Sequence, residues 1–233
     1  YLHKKYEINN LLQDDKWGSN SKAKDFRTCD GEDFLPMVIE SEHINQLLKC
    51  IKDSTDKNKY RDFAIFTLLT TTGCRRSTVL SLKWEHINFY RNQIRLTHPK
   101  TSNAIVVQLP ALLKSAFQHL LQSSTLSDGY VFKSRQSIDD NDSGLSKSAF
   151  NDVIQKWISA SNIQQHYPMP ITAHAFRHAF ITNCIRQDIA TEKIIEYTGH
   201  RNADSLEIYK HLVPKDHSQI ASLYDVDFDL FSA

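Results

Sequence analysis

Six side chains between Arg75 and Tyr209 have the identities needed to break a phosphodiester through a protein nucleophile. They are two guanidiniums (Arg75, Arg177), an ammonium (Lys100), two imidazoles (His174, His200) and a phenol (Tyr209). Such a cleavage needs a nucleophile, charge neutralisation on the phosphate, an acid for the leaving oxygen and a base for the attacking one. A planar guanidinium matches phosphate oxygens two at a time, which an ammonium cannot do. An ammonium on a flexible stem can protonate an oxygen, and a phenol can carry the phosphate as a covalent ester. Taken singly, none of the six carries a message. Arg75 reads as a capping or surface residue, Lys100 as a turn lysine, and Tyr209 as one of nine tyrosines packed on a core. Their joint spacing is informative: 25 residues from Arg75 to Lys100, 3 from His174 to Arg177, 23 from Arg177 to His200 and 9 from His200 to Tyr209.

These groups must be positioned by elements, and the hydrophobic period changes along the chain. Ile44, Leu47, Leu48 and Ile51 fall at i, i+3, i+4, i+7, the stripe of a helix starting near Ser41. Phe63, Phe66 and Leu69 mark a second, mostly buried helix, and Ser77 to Leu82 belong to a third, with Arg75 at or just before its start. Ile87 to Phe89, Ile94 to Leu96 and the alternating Ile105, Val107, Leu109 read as strands joined by turns around Asn92 and Pro99 to Asn103. Lys100 falls in the second turn. Helices resume after Pro110. Phe150, Val153, Ile154, Trp157 and Ile158 form a stripe behind Ser146 or Ser148 as N-cap. Phe176, Phe180, Ile181, Cys184 and Ile185 define the helix carrying His174, Arg177 and His178 near its N-terminal end. Thr191 to Tyr197 form a short helix stopped by Gly199, and Tyr209 lies on the next. The expected fold is mainly α (α+β), with one small antiparallel sheet of about three strands.

Composition sets bounds. Of 233 residues, 40% are hydrophobic and 24% charged, ordinary for a globular chain that buries a core. There is no apolar run of about 20 residues and no signal-peptide pattern at the start. The chain opens on Tyr1, which suggests a fragment with its upstream part missing. Cys29, Cys50, Cys74 and Cys184 are scattered without a C-x-x-C pair and read as free thiols of a reducing cytoplasm. The net charge is only +1, but Lys215 faces four aspartates beyond Pro214, so residues 214–233 carry −3 and residues 1–213 carry +4. That distribution is compatible with phosphate contacts and equally with none.

The two stretches that carry the six residues are Thr72-Gly73-Cys74-Arg75, Leu82-Lys83-Trp84-Glu85-His86-Ile87 and Lys100-Thr101, then His174-Ala175-Phe176-Arg177-His178, Gly199-His200 and Tyr209. On these motifs, over about Pro36 to Leu212, the chain resembles the catalytic domain of the tyrosine recombinases, or phage-integrase-type site-specific recombinases. The resemblance implies a reaction: Tyr209 attacks, Arg75 and Arg177 clamp the phosphate, Lys100 protonates the departing 5′ oxygen, His174 assists proton transfer at the tyrosine, and His200 bonds a phosphate oxygen. It implies no metal or nucleotide cofactor, double-stranded DNA as partner, a tetramer on DNA, accessory DNA-bending proteins, no membrane, and a cytoplasmic, nucleoid-associated setting. One position departs. Three residues after the first arginine the family usually has an acid that buttresses the site, and here Thr78 stands there. Two neighbouring functions share the resemblance: a type IB topoisomerase-like relaxing enzyme, and a non-catalytic DNA-binding descendant.

Three domains are expected: an arm or linker over 1–35 (a short helix at Tyr6 to Leu12, then a polar stretch), the catalytic domain over 36–213, and a tail over 214–233. In the tail Val226, Phe228 and Leu230 alternate with Asp225, Asp227 and Asp229, a half-buried strand pattern suited either to packing on its own domain or to docking on a neighbouring protomer. His174 and His178 also stand at i, i+4 as in zinc helices. The glutamate of that motif is absent and Arg177 sits between them, so His178 is read as a helix residue hydrogen-bonded within the core.

Overall fold

A computed structural model of the chain describes residues 36–97, 104–123, 128–133 and 144–199, with Leu206 and Tyr209. These belong to the compact unit that begins at Pro36. The expected arm, its short helix and the tail lie outside the described residues, as do Lys100 and His200.

Helix α1 (Ser41–Asp53) buries Ile44, Leu47, Leu48 and Ile51, the stripe read from the sequence. It packs on α2 (Lys59–Thr72), where Ala64, Ile65, Phe66, Leu68 and Leu69 are all fully buried. That burial is spread around the helix because α1, α4 (Ala111–Ser123) and α6 (Ala173–Arg186) all pack on it. Phe66 meets Phe176 of α6 edge to face, with ring centroids 5.4 Å apart, an arrangement favoured by the ring quadrupoles.

Among the described residues, one carboxylate is buried inside this core. Asp62, fully buried on α2, takes two bonds from Arg61 at Oδ1 (2.9 and 2.7 Å) and one from Trp157 Nε1 at Oδ2 (2.8 Å). Trp157 belongs to α5 (Lys147–Ala160), whose N-cap is Ser146, accepting from the Ala149 N–H at 3.1 Å. A buried carboxylate is tolerated when each oxygen is paired and hydrogen-bonded, and here the pairing also ties α2 to α5.

After α2 the chain turns into α3 (Arg76–Leu80), passes a 3-10 turn at Trp84–His86, and forms the sheet. Strands β1 (Ile87–Asn88), β2 (Gln93–Thr97) and β3 (Ala104–Gln108) are antiparallel in the order β1-β2-β3. Asn92, at φ 51, makes the first turn, and Ile94 pairs with Ile87 on one side and Val107 on the other. The second link, 98–103, joins Thr97 and Ala104, which are themselves paired. Helix α7 (Thr191–Thr198) follows α6 and ends at Gly199. The architecture is therefore mainly helical with a small three-stranded sheet, as the change of period predicts. Among the described residues no helix is long and apolar enough to cross a membrane.

Candidate active site

Arg75 is delivered by a helix stop and a helix start. Gly73 caps α2 at φ 58, its N–H bonded to Leu69 O. A Cβ there would lie 2.5 Å from Cδ1 of Phe180, so both the left-handed backbone and the space require glycine. Two residues later Arg75 is the extended N-cap of α3 (φ −74, ψ 153), which turns its side chain out of the α3 helical path. Its Nη1 donates to Gly199 O at 3.4 Å, a long bond. The sequence expectation of Arg75 just before the third helix agrees with this placement.

Arg177 comes from the second turn of α6 and is 5% exposed. Its Nη1 donates to Gly73 O at 2.6 Å and its Nη2 to Thr198 O at 3.1 Å. Both carbonyls lie at helix C-termini, those of α2 and α7, where terminal C=O groups lack intrahelical donors and the helix dipole is negative. Two helix ends thus stabilise a buried cation. Burial pulls the Arg177 guanidinium down to about 9 and the neighbouring Arg75 charge adds to this, while Tyr209 and Cys74 act the other way. It remains a cation at neutral pH.

Gly199 repeats the device at the end of α7. At φ 66 it turns the chain, and Ile105 Cδ1 of β3 would lie 2.9 Å from a Cβ placed there. This close approach packs β3 against the same helix end that the arginines bind. Thr78, where the resemblance expects an acid, is buried in α3 at 6% exposure.

Tyr209 is 2% exposed and clusters with Ile181, Ile194 and Leu206. Burial raises its phenol to about 12, with Arg177 and then Arg75 opposing that rise, so it lies within the field of both guanidiniums. Its Oη is 2.5 Å from His178 Nδ1. The His178 ring stands 5.5 Å from the Tyr209 ring and 6.4 Å from that of His174, which occupies the first turn of α6. Desolvation pushes the His178 imidazole down to about 3, with His174 and Arg177 acting the same way. Four of the six expected residues, Arg75, His174, Arg177 and Tyr209, are thus gathered by α3, α6 and the Tyr209 segment. Lys100 and His200 lie outside the described residues.

His178 is a helix residue hydrogen-bonded in the core, as read from the sequence, but sequence reasoning missed that its partner is the tyrosine itself. Its adjacency to Arg177, one turn beyond His174, was the available signal. It also missed the acceptor carbonyls of Gly73 and Thr198, which no side-chain motif advertises. Chemically, the arrangement offers two fixed cations to an anion and keeps a neutral phenol beside them.

Comparison with known proteins bears on the family and the fold. The model of the phage integrase family matches residues 37–216. A probable integrase/recombinase protein from Methanocaldococcus jannaschii is 26% identical over 180 residues, covering 75% of this chain and 52% of that protein. Tyrosine recombinase XerA from Pyrococcus furiosus is 27% identical over 199 residues, covering 85% of this chain and 65% of the relative. The chain therefore spans between about half and two thirds of the length of these curated relatives. Among solved structures, the XerH site-specific recombinase bound to palindromic difH substrate superposes with a TM-score of 0.68 at 18% identity, over 85% of this chain and 56% of that one. At that identity the likeness concerns the fold.

Proposed function

The chain belongs to the phage integrase family, and from that premise we propose that it cleaves and rejoins double-stranded DNA at specific sites through a covalent link to Tyr209. The observation that carries this reading is the meeting of a buried phenol with two guanidiniums delivered by different elements, Arg75 at the start of α3 and Arg177 on α6. Preorganised cations aimed at a phosphate stabilise the charge that develops when it is attacked, usually the largest catalytic effect.

In this reading Tyr209 Oη bonds to phosphorus as the P–O5′ bond breaks, leaving a 3′-phosphotyrosyl strand and a free 5′-hydroxyl. The phenolic proton leaves with help from His174, and Lys100 supplies a proton to the departing oxygen. His200 bonds a non-bridging oxygen. Attack by a 5′-hydroxyl from a partner duplex reverses these steps and completes exchange. The wider setting belongs to the same proposal: a tetramer on DNA, accessory DNA-bending proteins, a tail over 214–233 that docks on a neighbouring protomer, and action in the cytoplasm on the nucleoid.

Covalent trapping tests the core of it. The chain is incubated with nicked duplexes drawn from the DNA flanking its own gene, beside a Tyr209→Phe control. An SDS-stable protein–DNA adduct that disappears in the control is expected. An adduct that persists in Tyr209→Phe refutes the nucleophile. Binding without any adduct would favour a non-catalytic DNA-binding protein.

A further inference from the structure

We propose that His178 is a positioning residue for Tyr209: its Nδ1 accepts a hydrogen bond from the phenol O–H and stores the nucleophile, protonated and shielded, until DNA is engaged. The proposal rests on the reading of Tyr209 as the nucleophile, yet His178 is outside the six residues that reading uses. Three observations converge. Tyr209 is 2% exposed among Ile181, Ile194 and Leu206, so its ring is held by apolar contacts. A phenol in such a place requires a partner for its O–H, and His178 Nδ1 lies 2.5 Å from the oxygen. His178 is neighboured by cations or potential cations: Arg177 is the preceding residue, and the His174 ring is 6.4 Å away on the same helix. An added charge on His178 would be repelled by them, so the imidazole is neutral and its Nδ1 can accept from the phenol.

A neutral imidazole in this setting is a poor base. The phenol is raised to about 12 and the imidazole lowered to about 3, both by burial first, so a proton shared between them stays on oxygen. The bond therefore holds the tyrosine ready but unreactive, and attack requires the Oη to leave Nδ1 for the phosphate. A stored state of this kind lowers the observed rate by the fraction of molecules in which the bond is open. His178 thus differs in role from His174: one stores the phenol, the other assists its deprotonation.

The test compares wild type with His178→Leu, which lacks an acceptor, and His178→Asn, whose Oδ1 can replace Nδ1. Without DNA, tyrosines are labelled with carbon-13 at Cζ, and the Tyr209 signal is identified by its loss in Tyr209→Phe. Its titration midpoint is expected well above the ordinary 10 in wild type and His178→Asn, since burial raises it, and about 0.7 of a unit lower in His178→Leu, where one hydrogen bond to the neutral phenol is lost. With a saturating nicked duplex, single-turnover adduct formation is expected to rise roughly fivefold in His178→Leu, the effect of one hydrogen bond of ordinary net strength, and to return towards wild type in His178→Asn. A wild-type midpoint at or below 10 overturns the proposal by itself, since it would mean that Nδ1 donates and activates the phenolate. A His178→Leu protein that melts like wild type but cleaves no faster overturns it as well. If wild type forms no adduct while the titration pattern holds, the catalytic reading fails and the stored tyrosine remains.

Discussion

Arg177 carries its positive charge into a position 5% exposed, and what balances it there is backbone. The carbonyls of Gly73 and Thr198 take its two terminal nitrogens. That arrangement explains why the supports of Arg177 were not legible in the sequence: a side chain announces its chemistry, a carbonyl belongs to every residue. The imidazole of His178 gives a residue-scale prediction. Its ordinary value is 6.5 and its folded value is pushed down to about 3, by burial first and then by His174 and Arg177. Between those values the unfolded chain binds the proton and the folded chain does not. Stability is therefore complete above about pH 6.5 and declines as pH falls towards 3. The loss is on the order of 2 kcal/mol, below what the full shift implies, because the side chain keeps some contact with solvent. Urea midpoints measured at pH 7 and pH 4.5 should differ more for wild type than for His178→Asn. Equal differences would remove His178 from the acid response.

The helices that bring these residues together were readable where a stripe met a stop signal. Ser41–Asp53 follows the apolar period from its first residue, and Ser146 caps α5 as one of the two serines expected to. Gly199 ends α7 as read, and the strand alternation gave the three paired strands. The 3-10 turns at Trp84–His86 and Ile163–His166 were not legible, since such short runs have no period to detect. Nor was the buried Asp62, whose partner Trp157 lies 95 residues away. Gly73 is where an element can be broken most specifically. In Gly73→Ala the left-handed backbone and the approach to Phe180 should together cost about 2–4 kcal/mol. Because Gly73 O holds Arg177, adduct formation should fall with stability. Chemical denaturation and trapping on the same preparation check both effects, and a variant with unchanged midpoint would show that α2 can end without its glycine.

At the scale of the molecule, the tail is where assembly can be separated from folding. Residues 214–233 carry −3 while the rest of the chain carries +4, and Val226, Phe228 and Leu230 alternate in sequence with Asp225, Asp227 and Asp229. Deleting Asp225 to Ala233 is expected to weaken assembly on DNA in gel shifts and cross-linking while leaving the melting temperature within about 2 °C of wild type, since the described core lies elsewhere. Normal assembly and exchange by the shortened chain would rule out docking by the tail.

Helix α2 has a consequence for how the chain is made. It is packed by α1, which precedes it, but also by α4 and α6, and Phe66 does not meet Phe176 until more than a hundred further residues have been added. During synthesis this largely buried helix is therefore complete well before the last of the helices that cover it. Chains halted before residue 173 would display that surface to solvent and to one another, and are expected in the insoluble fraction rather than as half-domains. The same delay keeps Arg75 and Arg177 apart until α6 is complete, so a nascent chain acquires its paired cations only once its fold is nearly finished.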